Sequence, residues 1–316
     1  MDAFLIMLKN VLVFVLLAVP GVIVVKTKML KSQQSTALSK VLLYVGAPFL
    51  VIDKMFDISF DGELLKVVII SAVLGVGFNL FCVFLSRFAV MREKEVKTKG
   101  ITRFCMVFAN NGFLGFPLVS AVFPDRPLVM VALVIFNIIC CVFMYTIGVV
   151  FVTGDKRAMS LKKAVFNPIL IAFIVGLLLN LIKMDEWLPE STIYAGHLSG
   201  LVTPLSMVIL GMKLGEVNVK NLFASPKMYY VSAIKLIVEP VLVLSIGYAL
   251  NVFFGIGVDV LFALFIAFAL PTATTSTALA DGYGGDVNNA AIFTLGTTML
   301  SIATIPPLYG LLVLLI

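Results

Sequence analysis

The chain has 316 residues, 61% of them apolar and only 13% charged, with a formal net charge of +6. A soluble domain carries roughly 45–50% apolar and about 25% charged residues, so this composition excludes one and calls for burial in lipid, where a helical crossing needs about 20 apolar residues. The apolar runs are also too long, and too free of strict alternation, for barrel strands of about 10 residues.

In chain order the apolar runs cover 4–25, 36–52, 66–90, 101–123, 127–152, 164–182, 197–214, 228–254, 258–280 and 288–315. They predict an all-α polytopic membrane protein with ten transmembrane helices. The first run lacks a basic leader and a small-residue cleavage pattern, so it reads as a retained span. The second holds Lys40 and stops at Asp53, and the seventh is short and holds Pro204. With the N-terminus outside, 17 of the 23 Lys and Arg fall on the inner side, among them Arg87, Lys99, Arg103, Lys213, Lys220 and Lys227. Only Lys9, Lys54, Lys66, Arg126 and Lys183 fall outside, and Lys235 lies within the eighth run. Because cytoplasmic connections hold the Lys/Arg excess, both termini are expected outside a multi-pass protein of the cell membrane. The basic residues thus report topology, and no nucleic-acid partner is expected. Cys82, Cys105, Cys140 and Cys141 show no CxxC spacing and His197 is the single histidine, so neither a metal site nor a disulfide framework is expected.

The halves share their punctuation. Pro48 and Pro204 are 156 residues apart, and Pro117 and Pro271 are 154 apart, in spans two and seven and in spans four and nine. Five spans per half is an odd number, so the second copy enters the membrane from the opposite side, as in the inverted repeats of secondary transporters. The expected division is 1–155 and 156–316.

Interrupted segments at matching places in two such halves point to a midplane binding site. Span four reads Ala109-Asn110-Asn111-Gly112-Phe113-Leu114-Gly115-Phe116-Pro117, and span nine reads Leu270-Pro271-Thr272-Ala273-Thr274-Thr275-Ser276-Thr277. Proline removes a helical hydrogen bond and clashes with the preceding turn, which predicts breaks near Gly115–Pro117 and at Pro271. Irregular backbone at membrane depth survives where it is buried or lines a wet cavity. Half-helix N-termini favour anions and unwound carbonyls favour cations, so an anion site is expected where the breaks meet. The bland alternative is kinked, packed helices whose hydroxyls bond back to their own backbone.

Lys235 and Glu239 stand four apart on one face of span eight. They are either an internal ion pair or a coupling site in which Glu239 carries a proton or helps bind a cation. Asn79 and Asn137 are intramembrane amides that join helices or line a cavity, and they stand with Lys235 and Glu239 as candidate ion-coupling residues. Asp281 and Asp286 fall in a Gly-rich turn, read as solvated with a hinge as the alternative. Trp187 is an interfacial anchor, and His197 begins span seven.

These residues resemble the auxin efflux carrier family of bacterial permeases and plant PIN-type carriers. The match lies in Asn110-x-x-x-x-Gly115-x-Pro117-Leu118, in Ala269-Leu270-Pro271 with Ala280-x-x-Tyr283-Gly284-Gly285-Asp286, and in Pro306. The short loop Thr153 to Lys163 is similar to that of the bacterial members. The resemblance implies two inverted five-helix repeats, a dimerising scaffold of spans one, two, six and seven, and a transport domain of spans three to five and eight to ten around crossing helices four and nine. It implies elevator-like movement of small organic anions, with substrate contacts at Asn110, Asn111, Gly115, Pro117, Pro271, Thr272, Thr274, Thr275 and Ser276. Plant carriers tend to have a second proline where Ser276 stands, so this hydroxyl-rich face suits malate- or malonate-type carboxylates better than auxin. A sodium-coupled bile-acid-type symporter, an auxin-like anion carrier, or a channel or receptor on the same fold are the alternatives. The chain holds no GxxxxGK[ST] loop and no HExxH or GxSxG motif, so no enzyme and no cofactor are expected, and Na+ or H+ is the candidate coupling ion.

Overall fold

The computed structural model describes residues 2–217 and 222–316; Lys220, counted among the inner charges, lies outside the described residues. The described chain is all-helical, and its only β-type pairing is an isolated bridge between Ala109 and Thr272. Eight of the described helices are long and apolar enough to cross a membrane. They are α1 (Asp2–Lys26), α2 (Ser32–Phe56), α3 (Gly62–Ala89), α6 (Pro127–Thr153), α7 (Lys156–Leu181, regular over Pro168–Leu181), α8 (Glu190–Glu216), α9 (Pro226–Phe254) and α12 (Val287–Leu315). The fourth and ninth apolar runs each form a pair of short helices instead, α4 (Val96–Val107) with α5 (Asn111–Val122), and α10 (Val258–Ala269) with α11 (Thr275–Gly282).

The interruption in the ninth run falls at Pro271, as the sequence predicts, because the residue before a proline is driven to extended backbone and Leu270 is extended at φ −71°, ψ 153°. In the fourth run the prediction misplaces it. The chain leaves α4 at Phe108, which is extended, and Pro117 stands in the first turn of the regular helix Phe116–Val122. It is the seventh residue of α5, so its ring and missing N–H fall inside the helix. A wide, π-helical turn over Asn111–Gly115 precedes it and opens the backbone ahead of the proline ring.

Helix packing follows small residues. α1 lies against α8, where a Cβ on Gly21 would stand 2.1 Å from the Val208 carbonyl oxygen and one on Gly211 would stand 1.9 Å from that of Ala18. Only glycine permits that backbone approach, the usual way membrane helices gain contact without a hydrophobic drive between them. α2 packs on α7 and on the start of α8, fastened by the Asn180 amide donating to the Met55 and Ile58 carbonyls at 2.7 Å. The remaining helices pack on one another, α3 and α10 on α6, α9 on α10 and α12, and α11 on α12. Their core holds fully buried aromatic side chains, Phe104, Phe116, Phe136, Phe265 and Phe293, together with buried polar groups that include Asn79, Lys235, Glu239 and Thr297.

Asp286 is more ordered than a solvated turn. Its carboxylate caps α12 by accepting from the Asn289 backbone N–H at 3.0 Å, and it accepts from the Thr98 hydroxyl of α4 at 2.6 Å. The turn after α11 is therefore tied to the start of α4, with Gly284 supplying the left-handed backbone at φ 69° that a side chain would resist.

Candidate functional site

The two interruptions meet. The Asn110 backbone N–H donates to the Pro271 carbonyl at 2.9 Å, and the Ala273 N–H donates to the Phe108 carbonyl at 2.9 Å. This reciprocal pair is the bridge between Ala109 and Thr272, and it satisfies backbone groups that neither short helix can satisfy alone. Thr272 ties the junction further. Its hydroxyl donates to the Cys105 carbonyl at 2.7 Å, and its N–H donates to the Thr297 hydroxyl of α12 at 3.2 Å. Ser276 is fully buried, with its hydroxyl 2.6 Å from that of Thr294. These two hydroxyls are engaged in structure.

Beside the junction is a narrow cavity of about 10 Å³, room for roughly one water. Asn110 and Thr274 face it from the interruptions, and Ser206 and Lys213 face it from α8. The Ser206 hydroxyl donates to the Thr203 carbonyl. Lys213 is half-buried, with its ammonium 5.8 Å from the centre of the Phe113 ring. No carboxylate pairs with it among the described residues. The arrangement sets an amide, a hydroxyl and an uncompensated cation around one small space.

The other expected residues separate from this group. Asn111 turns to the opposite side, where it shares a second small cavity with Asn79, Phe136 and Cys140. The Asn79 amide donates to the Gly75 carbonyl at 2.8 Å, and the buried Asn111 Oδ1 lacks a partner. Gly115 is a packing position, since a Cβ there would stand 3.0 Å from Leu270 Cδ1. Pro117 is buried and lines neither cavity. Thr275 donates to the Met144 sulfur at 3.3 Å. Asn137 is buried within α6. The structure thus brings Asn110 and Thr274 together and distributes the rest around the junction.

Lys235 and Glu239 form a fully buried ion pair at 2.9 Å. Lys235 lies within a wide turn, Ile234–Val238, and Glu239 follows it; the turn packs against α4, α10 and α12, so the pair lies beside the two helices, α4 and α10, that end at the interruptions.

Lys213 is the residue that sequence reasoning assigned to topology alone. The signal was present, because Lys213 is seven residues after Ser206, two helical turns on the same face, and it ends an apolar run instead of lying in a connection.

A bundle of apolar helices with paired interruptions defines a multi-pass membrane protein of the transport class. The family model described as "Membrane transport protein" matches the chain twice, over residues 6–158 and 155–309, and the chain belongs to this auxin efflux carrier-type family of membrane transporters. It is similar to an uncharacterized transporter of Methanothermobacter thermautotrophicus, 27% identical over 302 residues that cover 94% of each chain.

Proposed function

We propose that the protein is a secondary carrier of small organic anions of the malate or malonate type, working by an elevator-like movement across the cell membrane. The observation that carries this reading is the group of Asn110, Thr274 and Lys213 around one cavity at the meeting of the two interruptions. An uncompensated cation with two neutral hydrogen-bonding groups matches a carboxylate, whose oxygens accept from both kinds of donor. At about 10 Å³ the cavity is closed to any dicarboxylate, so loading requires α8 and the junction to separate, as alternating access demands.

In this reading the chain crosses the membrane ten times with both termini outside, and the two five-helix units are inverted copies divided near residue 155. The units contribute α1, α2, α7 and α8 to a dimerising scaffold and the other helices to a moving body. The buried Lys235–Glu239 pair is the coupling site, with Glu239 taking up a proton or helping to bind Na+.

The test is uptake of labelled malate and malonate by proteoliposomes under separately imposed Na+ and pH gradients. Saturable uptake is expected, abolished in Asn110→Ala and shifted to higher KM in Lys213→Gln, by roughly 10-fold or more if a charge-assisted hydrogen bond of about 1.5–3 kcal/mol is lost. If folded protein moves neither acid, the substrate assignment falls.

A further inference from the structure

We propose that the inner end of α3 and the start of α4 form a binding site for the phosphate headgroup of an anionic phospholipid. An open pocket of about 670 Å³ lies there, lined by Phe84, Arg87, Phe88, Met91, Lys99 and Arg103 together with Val90. Three cations share this pocket, and none of them has a carboxylate partner among the described residues. The acidic groups of the adjoining connection are already engaged: Glu93 pairs with Lys227 at 2.6 Å, and Glu95 accepts from the Thr98 backbone N–H at 2.9 Å. Like charges gathered in one cleft repel, and a bound anion relieves that repulsion.

The geometry is organised. Lys99 and Arg103 stand one turn apart on α4, on one face. The Arg103 guanidinium is fixed by donating to the Ser86 hydroxyl at 3.2 Å and the Val83 carbonyl at 3.4 Å, and it stacks 3.8 Å from the centre of the Phe151 ring. Arg87 enters from the last turn of α3.

What commits the site to a lipid in preference to a free phosphate is its other wall. Phe84, Phe88 and Met91 are 61%, 53% and 69% exposed, and they line the same pocket as the cations. Phe84 and Phe88 pack edge to face at 4.8 Å on the outer side of a membrane-length helix. Such side chains cover an acyl chain, while Arg87, Lys99 and Arg103 hold the phosphodiester at the level of the headgroups. Basic pockets between helices at the cytoplasmic face recognise anionic headgroups in this way, and the Lys/Arg count assigns this end to that face.

The experiment is native mass spectrometry of the full chain titrated with phosphatidylglycerol or phosphatidylcholine, comparing wild type with Arg87→Gln/Lys99→Gln. Lys156→Gln/Arg157→Gln, on another inner connection, is the control. Wild type and control are expected to retain phosphatidylglycerol preferentially. The Arg87→Gln/Lys99→Gln variant is expected to bind it roughly 30-fold more weakly, at about 1 kcal/mol per charge. Equal retention by the two double variants would overturn the site. So would displacement of the lipid by millimolar glycerol phosphate as effectively as by the lipid itself, which would mark a free-phosphate site. Arg103 is left in place because its packing on Phe151 supports the fold. If the double variant is not monodisperse, Lys99→Gln alone is compared with Lys156→Gln, and the same criteria apply.

Discussion

Lys235 and Glu239 carry opposite charges 2.9 Å apart with almost no exposure, and their energetics differ from those of a surface pair. Removing both from water costs several kcal/mol per ion, and their attraction repays this only while both are present. Glu239→Gln leaves the Lys235 ammonium buried and alone, with an expected loss of about 3–5 kcal/mol. Replacing both groups, as in Lys235→Met/Glu239→Leu, is expected to be nearly neutral or slightly stabilising. Thermal unfolding of the two variants in detergent separates these outcomes. If the pair serves coupling, the stable double variant also loses the dependence of uptake on the driving ion gradient. Retention of that dependence would leave the pair with a structural role only. Cys82 and Cys140 lie close by, and Cys140 also lines the Asn111 cavity.

At the level of helices, the turn that joins α11 to α12 and the start of α4 share one carboxylate. Partial burial pushes the Asp286 carboxyl up, but hydrogen bonds from Thr98 and Asn289 outweigh that and hold it below the ordinary carboxylate range. A group whose folded pKa is depressed stabilises the fold above its unfolded value near 3.9, and the contribution is lost as pH falls through the folded pKa. Asp286→Ala also removes the α12 N-cap, at an expected cost of about 1 kcal/mol. Asp286→Asn keeps a capping oxygen and removes the charge. The difference in Tm between wild type and Asp286→Asn should therefore be present at pH 7 and shrink toward pH 3; a constant gap would mean that the charge contributes nothing. This contact was not legible in the sequence, because Thr98 and Asp286 are 188 residues apart and a Gly-rich turn carries no mark of its distant partner. The helices themselves were legible, since runs of about 20 apolar residues admit few other folds in lipid. The interruption was displaced from Pro117 because a local π-helical turn, here Asn111–Gly115, lets a membrane helix carry a proline without breaking there. Lys213 was hidden for a related reason: a lysine near the inner end of an apolar run satisfies the topology rule and the cavity equally well.

For the molecule as a whole, the decisive surface is the one between the α1–α8 pair and the body that holds the interruptions. An apolar cavity of about 210 Å³ runs along it, lined by Val11, Phe14 and Ala18 of α1, Leu210 and Leu214 of α8, Leu114 and Leu118 of α5, and Ile302 and Ile305 of α12. Side chains from the two bodies do not fill this space, unlike the close backbone approach that locks α1 to α8. A seam with missing atoms on one side forfeits dispersion contacts, so in the elevator-like reading proposed above it is the interface at which sliding would cost least. Leu114 and Leu210 line both this cavity and the small polar one, so they mark this seam at the site proposed above. In a protein whose four cysteines are replaced by serine, Leu114→Cys/Leu210→Cys joined by a short bifunctional thiol reagent is expected to abolish uptake, and cleavage of a reducible linker should restore it. A linker between Gly21→Cys and Gly211→Cys is unsuitable as the control, because a side chain at either position strikes carbonyl oxygen. Tyr194→Cys with Phe49→Cys serves instead, since these rings pack 5.4 Å apart between α8 and α2 within one body, and their joining should leave transport intact. Full uptake with Leu114 and Leu210 joined would show that α8 and α5 do not move apart during the cycle. The carrier would then have to open along another seam, and the proposal that substrate loads by separation of α8 from the junction would go with it.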